Sequence, residues 1–399
     1  MNLLHIFKKK LAPPPKVTRI NNNNNSNLLR LDPNSINIIK TLQEHGHESY
    51  LVGGCIRDAL INIKPKDFDI VSQATPEKIK QTIRSARIIG KRFKLVHVYM
   101  GNQIYEIATY RATARSKNIN NSNNISPKIS SHANSGRILR DNIYGNQQED
   151  AYRRDFTINS LYFDPIKKII IDYHKGLKDI KKKRIKFIGD PKQRIIEDPV
   201  RMLRAIRIAN KLNFTIDKSI LNIMPDLAHH LKDIPSARLL EEYPKIFLSG
   251  KSKLNLEDLE KSNLLQYLFP LLTKHLNNNP KILNYVLTAC QNTDYRVNKN
   301  LGVNPAFLFA TFLWPEFKQE LENTKKLYTD LTTIQIESLA IRKTLNNQRK
   351  TLTLTQRMSE HIKDIWSLQS KLEQYKLEQH EENNLQYISS HYRFRAAFD

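Results

Sequence analysis

The sequence predicts an α+β protein, a mixed α/β head followed by a long helical body, and three observations carry that expectation. Between Tyr50 and Tyr173, short apolar runs alternate with a period of two and are separated by Gly, Asn, Asp and Pro, the pattern of short strands. After about Gly176 the strand signals largely stop. From residue 195 to about 390 the patterning is mainly helical, and no internal repeat breaks it.

Taken in order, residues 1 to 34 read as a disordered leader: basic, then Pro13 to Pro15, then Asn21 to Asn25, too polar to bury a core. Residues 35 to 49 read as a helix and Tyr50 to Val52 as a strand ending at Gly53-Gly54. A helix follows from about Ile56. In KPKDFDIV (Lys64 to Val71), Phe68, Ile70 and Val71 favour a strand. Thr75 and Pro76 open the next helix as N-cap and first residue. Lys94 to Met100 and Gln103 to Tyr110 alternate like two strands around Gly101-Asn102. Residues 116 to 135 read as an unstructured Ser/Asn-rich insertion. Ile158 to Tyr162 and Ile169 to Tyr173 are further strand-like runs. The expected domains are a catalytic head at 35–176, a helical neck at 177–235 and a helical body at 236–399.

With 399 residues the chain is long enough for two or three domains. Its formal net charge of +25 favours a polyanionic partner, with nucleic acid the first candidate and a simply basic, soluble protein the alternative. Two cysteines, Cys55 and Cys290, are too few for a disulfide framework or a cysteine metal site, which fits a reducing cytoplasm. The start MNLLHIFKKK has the wrong order for a signal peptide. No apolar run approaches the roughly 18 residues of a membrane span.

Within KPKDFDIV, Asp67 and Asp69 are poor strand formers in a strand-like run. Residues i and i+2 share a face, so the two carboxylates would stand roughly 7 Å apart and repel. Hard divalent ions take oxygen ligands and combine one or two carboxylates with substrate phosphates, and two such ions can clamp both oxygens of a phosphoryl transfer. Upstream, Gly53 and Gly54 lie between a strand and a helix, where backbone N–H groups can approach a phosphate. Arg57 follows near that helix end. A third acidic position has two candidates. Asp155 in AYRRDFTINSL is favoured by its flanking arginines and the apolar run after it; Glu106 in IYEIATYR is the other. Further on, EDPVRMLRAIRIANKL offers Asp198 as N-cap and Pro199 as first helical residue, an apolar face of Met202, Leu203, Ile206 and Ala209, and Arg201, Arg204 and Arg207 on another face. Lys178 to Lys211 holds 12 basic and 4 acidic residues, a net of +8. A polyanion along this helix is the expectation, and a solvated basic face is the plain alternative.

Together, LVGGCIRD, KDFDIVSQATPE, EIATYR, EDAYRRDFTINSLYF and EDPVRMLRAIR resemble, in order, the motifs of the class II nucleotidyltransferases of the polymerase β superfamily, which comprise bacterial poly(A) polymerases and tRNA CCA-adding enzymes. The resemblance spans roughly residues 40 to 320 and returns at FRAAFD (Phe394 to Asp399). IIGKRFKLVHV (Ile88 to Val98), IPSARLLEEYPKIFLSG (Ile234 to Gly250) and VNPAFLFATFLW (Val303 to Trp314) are similar to the poly(A) polymerase branch. The resemblance implies a polymerase β-like head and an all-α neck and body. It implies that Asp67 and Asp69 hold catalytic Mg²⁺, two ions, with Asp155 as the further acidic residue. Gly53, Gly54, Arg57, Arg111 and Arg154 would serve the nucleotide. Asp198 and Arg201 would read the base edge, supported by Arg204 and Arg207. ATP and RNA 3′ ends are the implied substrates, with addition of AMP and release of pyrophosphate. A CCA-adding enzyme is the close rival, and a catalytically inactive RNA-binding protein the rival from another class. A monomer is the default, with RNA-decay or RNA-chaperone proteins as conceivable partners. Position 110 is Tyr where the family usually has Phe.

Overall fold

The computed structural model describes residues 14–20, 28, 31–90, 94–112, 144–378 and 389–398. The expected Ser/Asn-rich insertion at 116–135 and the Asn21 to Asn25 run lie outside these residues. The chain divides into two compact units between Asp198 and Pro199.

The first unit is built on a sheet of eight strands. They are β1 (Lys16–Arg19), β2 (Ser49–Val52), β3 (Asp69–Ser72), β4 (Ala86–Ile89), β5 (Leu95–Met100), β6 (Gln103–Thr109), β7 (Leu161–Asp164) and β8 (Ile169–Asp172), in the spatial order β1-β8-β7-β2-β3-β6-β5-β4. Every pairing is antiparallel except β3 with β6, which run parallel with Ile70 opposite Ile107. The expected leader is corrected here: Lys16–Arg19 is an edge strand on β8. Its β-branched Val17 and Thr18 suit a strand, and charged ends suit an edge.

Helices α1 (Pro33–Glu44), α2 (Gly54–Leu60) and α3 (Pro76–Thr82) pack on one face of this sheet. Asp32 caps α1 and also accepts from the Tyr105 hydroxyl at 2.8 Å, tying the helix to β6. Thr75 caps α3 with Pro76 in its first turn, as the sequence predicts. On the other face α4 (Gln147–Arg153) sets Ala151 into a buried cluster with Tyr50, Val52, Val71, Tyr110, Tyr162 and Ile171. That cluster covers the β2, β3, β7 and β8 half. On the β4–β6 half, the same face carries Arg87, His97, Tyr99, Ile104 and Glu106, and all but the partly buried His97 are exposed. The unit closes with α5 (Gly176–Lys181) and α6 (Pro191–Glu197).

The second unit is helical: α7 (Val200–Leu212), the short α8 (Lys218–Leu221) and α9 (Met224–Leu227), α10 (Ser236–Phe247), α11 (Ser252–Lys261), α12 (Pro270–Asn278), α13 (Pro280–Asn298), α14 (Pro305–Leu327), α15 (Thr333–Arg349), α16 (Gln356–Glu378) and α17 (Phe394–Phe398). Its core is aromatic. Tyr243, Phe247, Phe269, Phe309 and Phe312 interlock with ring centroids 4.3–6.3 Å apart. Trp366 stacks on Phe317 at 4.5 Å, and its indole N–H donates to the Ala310 carbonyl at 3.0 Å. Burial of this much aromatic surface dominates the stability of such a core. Among the described residues no helix is long and apolar enough to cross a membrane.

Candidate active site

The site forms where β2 ends and β3 begins. Val52 lies opposite Asp69, so the glycine turn and the aspartate arise at one end of adjacent strands. Gly53 has φ +80° and ψ −131°, a region open essentially to glycine alone. A Cβ there would lie 3.8 Å from Arg154 Nη1 and 3.9 Å from Asp69 Oδ2. The turn therefore approaches a cation and a carboxylate at once. Gly54 begins α2, and a Cβ on it would meet Arg57 Nη2 at 3.4 Å.

Only Asp69 belongs to the strand. β3 begins there, and Asp67 precedes it, which corrects the expectation of two aspartates inside one strand. Lys64 to Asp67 lie outside the ladder, Pro65 among them has no N–H to donate, and the strand opens where Asp69 meets Val52. Asp69 keeps exposed surface, yet its pKa is raised. Crowding by surrounding protein is the main cause, the Arg154 charge opposes it, and Glu106 and then Asp67 add repulsion. Exposed area and crowding coexist because the carboxylate is flanked by protein while part of its surface still meets water.

Of the two candidates for the third acidic position, Asp155 is buried, and its Oδ1 accepts from the Phe156 backbone N–H at 2.8 Å and the Asn159 amide at 3.3 Å. It shapes the turn before β7. Glu106 lies on β6, one residue before the Ile107 that pairs with Ile70, and so stands beside Asp69 in the parallel register. Its charge is felt at Asp69, where it adds repulsion. Across β5, His97 Nε2 lies 3.5 Å from Glu106 Oε1. The register and this repulsion group Glu106 with Asp69.

Arg154 is clamped. Its Nε and Nη2 donate to Asp150 Oδ2 at 3.2 and 3.0 Å, Nε also donates to the Tyr162 hydroxyl at 3.1 Å, and that hydroxyl donates to Asp150 Oδ2 at 2.8 Å. Burial works against the cation, but Tyr162 and Asp150 outweigh it, so the charge is held on. Nη1 is the nitrogen left facing Gly53. Asp150 and Tyr162 escaped the sequence reading. The i, i+4 spacing of Asp150 and Arg154 on one helix was the available signal; nothing local pointed to Tyr162. Asp150 Oδ1 also accepts from the Arg111 backbone N–H at 3.3 Å. Burial disfavours the Arg111 charge, and Asp150 partly restores it. Arg194 on α6, a further residue missed, donates to the Arg153 carbonyl at 2.8 Å and pins the end of α4.

Arg57 is buried and engaged by protein. Nε and Nη2 donate to Asp58 Oδ1 at 2.8 and 2.6 Å, and Nη1 donates to Asn159 Oδ1 at 2.6 Å. It braces α2 against the turn that holds Asp155. Cys55 is buried, and burial pushes its thiol up to about 12, the condition of an inert filler.

In the second unit, α7 carries Arg201, Arg204 and Arg207. The expected Asp198 N-cap is corrected: Pro199 occupies the cap position without a side-chain bond, and Asp198 ends α6, its N–H donating to the Arg194 carbonyl at 3.3 Å. A second helix immediately upstream takes Asp198 as its end, which a window over α7 alone does not reveal. Arg201 is buried, and Arg204 and Arg207 are partly so; Arg207 Nε lies 3.6 Å from Glu242 Oε2 on α10. The three arginines are thus packed, and a freely solvated basic face is ruled out.

A head with a parallel β3–β6 pair, strand-borne carboxylates and an adjoining glycine turn defines the class: a polymerase β-like nucleotidyltransferase. Three family profiles match the chain, described as poly A polymerase head domain at residues 49–186, probable RNA and SrmB-binding site of polymerase A at 213–276, and polymerase A arginine-rich C-terminus at 330–399. A poly(A) polymerase I of Salmonella typhi is 37% identical over 373 residues, covering 92% of this chain and 77% of that protein. A CCA-adding enzyme of Lactobacillus helveticus is 32% identical over 216 residues, 54% of this chain and 50% of that one. Among solved structures, a CCA-adding enzyme in an apo form shares the fold with a TM-score of 0.59 at 19% identity, over 95% of this chain and 82% of that one. The chain belongs to the bacterial poly(A) polymerase I family and is a nucleotidyltransferase.

Proposed function

We propose that this protein is a template-independent polynucleotide adenylyltransferase of the cytoplasm, adding AMP from ATP to RNA 3′ ends. The observation that carries the reading is the convergence on one turn of Gly53, Asp69 and the clamped Arg154 Nη1. A glycine turn beside a fixed cation suits a triphosphate, and the carboxylate beside it suits the reacting end of the chain. In the reaction the RNA 3′-oxygen forms a bond to the α-phosphorus, and the bond from that phosphorus to the bridging oxygen breaks. Pyrophosphate leaves with the electron pair, and the hydroxyl proton is released.

The residues present fit a hard divalent cation. Asp67, Asp69 and Glu106 offer only oxygen donors, and the pKa of Asp69 is raised chiefly by burial, with repulsion from Glu106 and Asp67 added, both of which a cation would relieve; among the described residues no three acidic, His or Cys side chains are already gathered as a metal cage. Mg²⁺ held by Asp67 and Asp69, with Glu106 as the third carboxylate, would neutralise charge on the phosphates and lower the pKa of the attacking hydroxyl. Arg154 orients the nucleotide through Nη1, with Asp150 and Tyr162 fixing its plane. Gly53 and Gly54 keep side chains out of the phosphate approach. Arg57 and Asp155 shape the turn from behind, and Arg111 shares Asp150. Asp198 and Arg201, with Arg204 and Arg207, are assigned to the base edge on the family resemblance.

The poly(A) branch is favoured over CCA addition because similarity to poly(A) polymerase I runs across 92% of the chain and similarity to a CCA-adding enzyme across 54%. The test offers Mg²⁺ and either ATP or CTP to an unstructured RNA and to a tRNA lacking its CCA end. Long ATP-dependent extension of the unstructured RNA is expected. Addition limited to the tRNA and requiring CTP would transfer the protein to the other branch.

A further inference from the structure

The β4–β6 half of the sheet leaves one face uncovered by described residues. Its surface is patterned. Opposite residues on neighbouring strands point to one face, so the register draws a row from the site to the sheet edge: Asp69, Glu106, His97, Arg87. A second row, two residues along, pairs Tyr99 with Ile104, which are 37% and 54% exposed. The Arg87 guanidinium carbon lies 5.3 Å from the Tyr99 ring centroid, and Arg87 makes no ion pair with a described carboxylate. Single exposed apolar residues are ordinary. A contiguous tyrosine, isoleucine and arginine on the face that bears the carboxylates is a different feature.

The chemistry supplies an occupant. Phosphoryl transfer places the attacking and leaving oxygens roughly in line. The groups suited to the leaving pyrophosphate, Gly53 and Arg154, stand on the β2 and β7 side of Asp69. With pyrophosphate on that side, an in-line nucleophile is best accommodated from the β6–β5–β4 side. Tyr99 is two strands over and two residues along from Asp69, about 12 Å away, within reach of the nucleotides just upstream of the reacting end. Aromatic rings with neighbouring arginines hold single strands by stacking and charge, without sequence preference.

We propose that this open sheet face is the seat of the 3′-terminal segment of the RNA strand, with Tyr99 stacking on a base, Ile104 extending the platform and Arg87 holding a phosphate. The proposal rests on the nucleotidyl-transfer reading above. It commits to single-stranded RNA; ATP is the competing occupant that the experiment distinguishes.

Two arms test it on the full chain. Tyr99→Ser and Arg87→Gln, each checked for unchanged thermal unfolding, are assayed for AMP addition to a short unstructured RNA. The KM for RNA is expected to rise about 5- to 30-fold in Tyr99→Ser, the worth of one stacked base, with the KM for ATP unmoved, and Tyr99→Phe restores it. An unchanged KM for RNA in both variants, or a KM for ATP that rises in parallel, overturns the proposal. In the second arm, wild-type protein is irradiated with RNA bearing 4-thiouridine just upstream of its 3′ end. A crosslink within Lys94–Ile107 supports the seat, and crosslinks confined elsewhere overturn it. If wild type adds no AMP, the enzymatic reading has failed, and the crosslink decides the surface alone. If wild type is active and both arms are silent, only the surface is wrong.

Discussion

Tyr162→Phe removes one oxygen from the clamp on Arg154. The hydroxyl donates to Asp150 Oδ2 at 2.8 Å and accepts from Arg154 Nε at 3.1 Å, and the tyrosine is fully buried. Phenylalanine keeps the ring, which the Arg154 guanidinium carbon overlies at 5.4 Å, so packing and the cation–π contact survive. Hydrogen bonds to charged groups are worth about 1.5–3 kcal/mol. Asp150 and Arg154 still hold each other at 3.0 Å, so the loss is about one such contribution. Thermal unfolding of the head falls by about 3–12 °C for a unit of this size. If the clamp aims Nη1 at the nucleotide, the KM for ATP also rises on the order of tenfold, equivalent to about 1.4 kcal/mol. The assay is ATP-dependent extension of an unstructured RNA, with melting followed in parallel. A lowered melting temperature with an unchanged KM for ATP would refute the reasoning, because the hydroxyl would then serve packing alone.

Asp69→Ala is expected to abolish AMP addition while RNA binding, measured by filter retention, survives; persistent addition would displace the proposed metal site. Glu106→Gln is expected to lower kcat by on the order of 10² and to raise the Mg²⁺ concentration giving half-maximal rate. Asp155→Asn should instead act mainly on thermal stability; the reverse pattern would reinstate Asp155 as the third carboxylate. The folded-state pKa of Asp69 is raised, so its ionisation opposes folding at pH values above that pKa. Asp69→Asn should therefore melt higher than wild type near neutral pH without divalent ions. The gap should close as pH falls through the raised pKa toward the ordinary carboxylate value, and a gap independent of pH would contradict the assignment. Gly53→Ala forces a residue with Cβ into a glycine-only region at about 1–3 kcal/mol and should depress both melting temperature and activity.

Much of the local structure around the candidate site was legible because its motifs are short. Gly53-Gly54 between strand and helix, the aspartate pair, and Thr75-Pro76 at a helix start each carry their meaning within a few residues. Three features were not. The strand Lys16–Arg19 has no strong periodicity of its own and forms because β8 offers it an edge. Asp198 looked like an N-cap because Pro199 follows it, yet a preceding helix takes it as its end. The choice between Asp155 and Glu106 could not be made from flanking residues. Arginines beside Asp155 suggested a useful charge, but Arg154 turns to Asp150 and Tyr162 instead.

The sequence by itself determined the parts: which turn needs glycine, where two carboxylates fall two residues apart, where helices begin, and that a basic, helix-rich body follows a mixed head. These depend on backbone sterics and side-chain chemistry that act over a few residues. The tertiary structure alone decided how the parts meet. The parallel pairing of β3 with β6 sets Glu106 beside Asp69, the packing of α4 over β7 brings Asp150 to Tyr162, and among the described residues that packing stops at β3, short of the β4–β6 face. Strand order and register follow from burying one common face among segments far apart in the chain, and no local window contains both partners of such a contact.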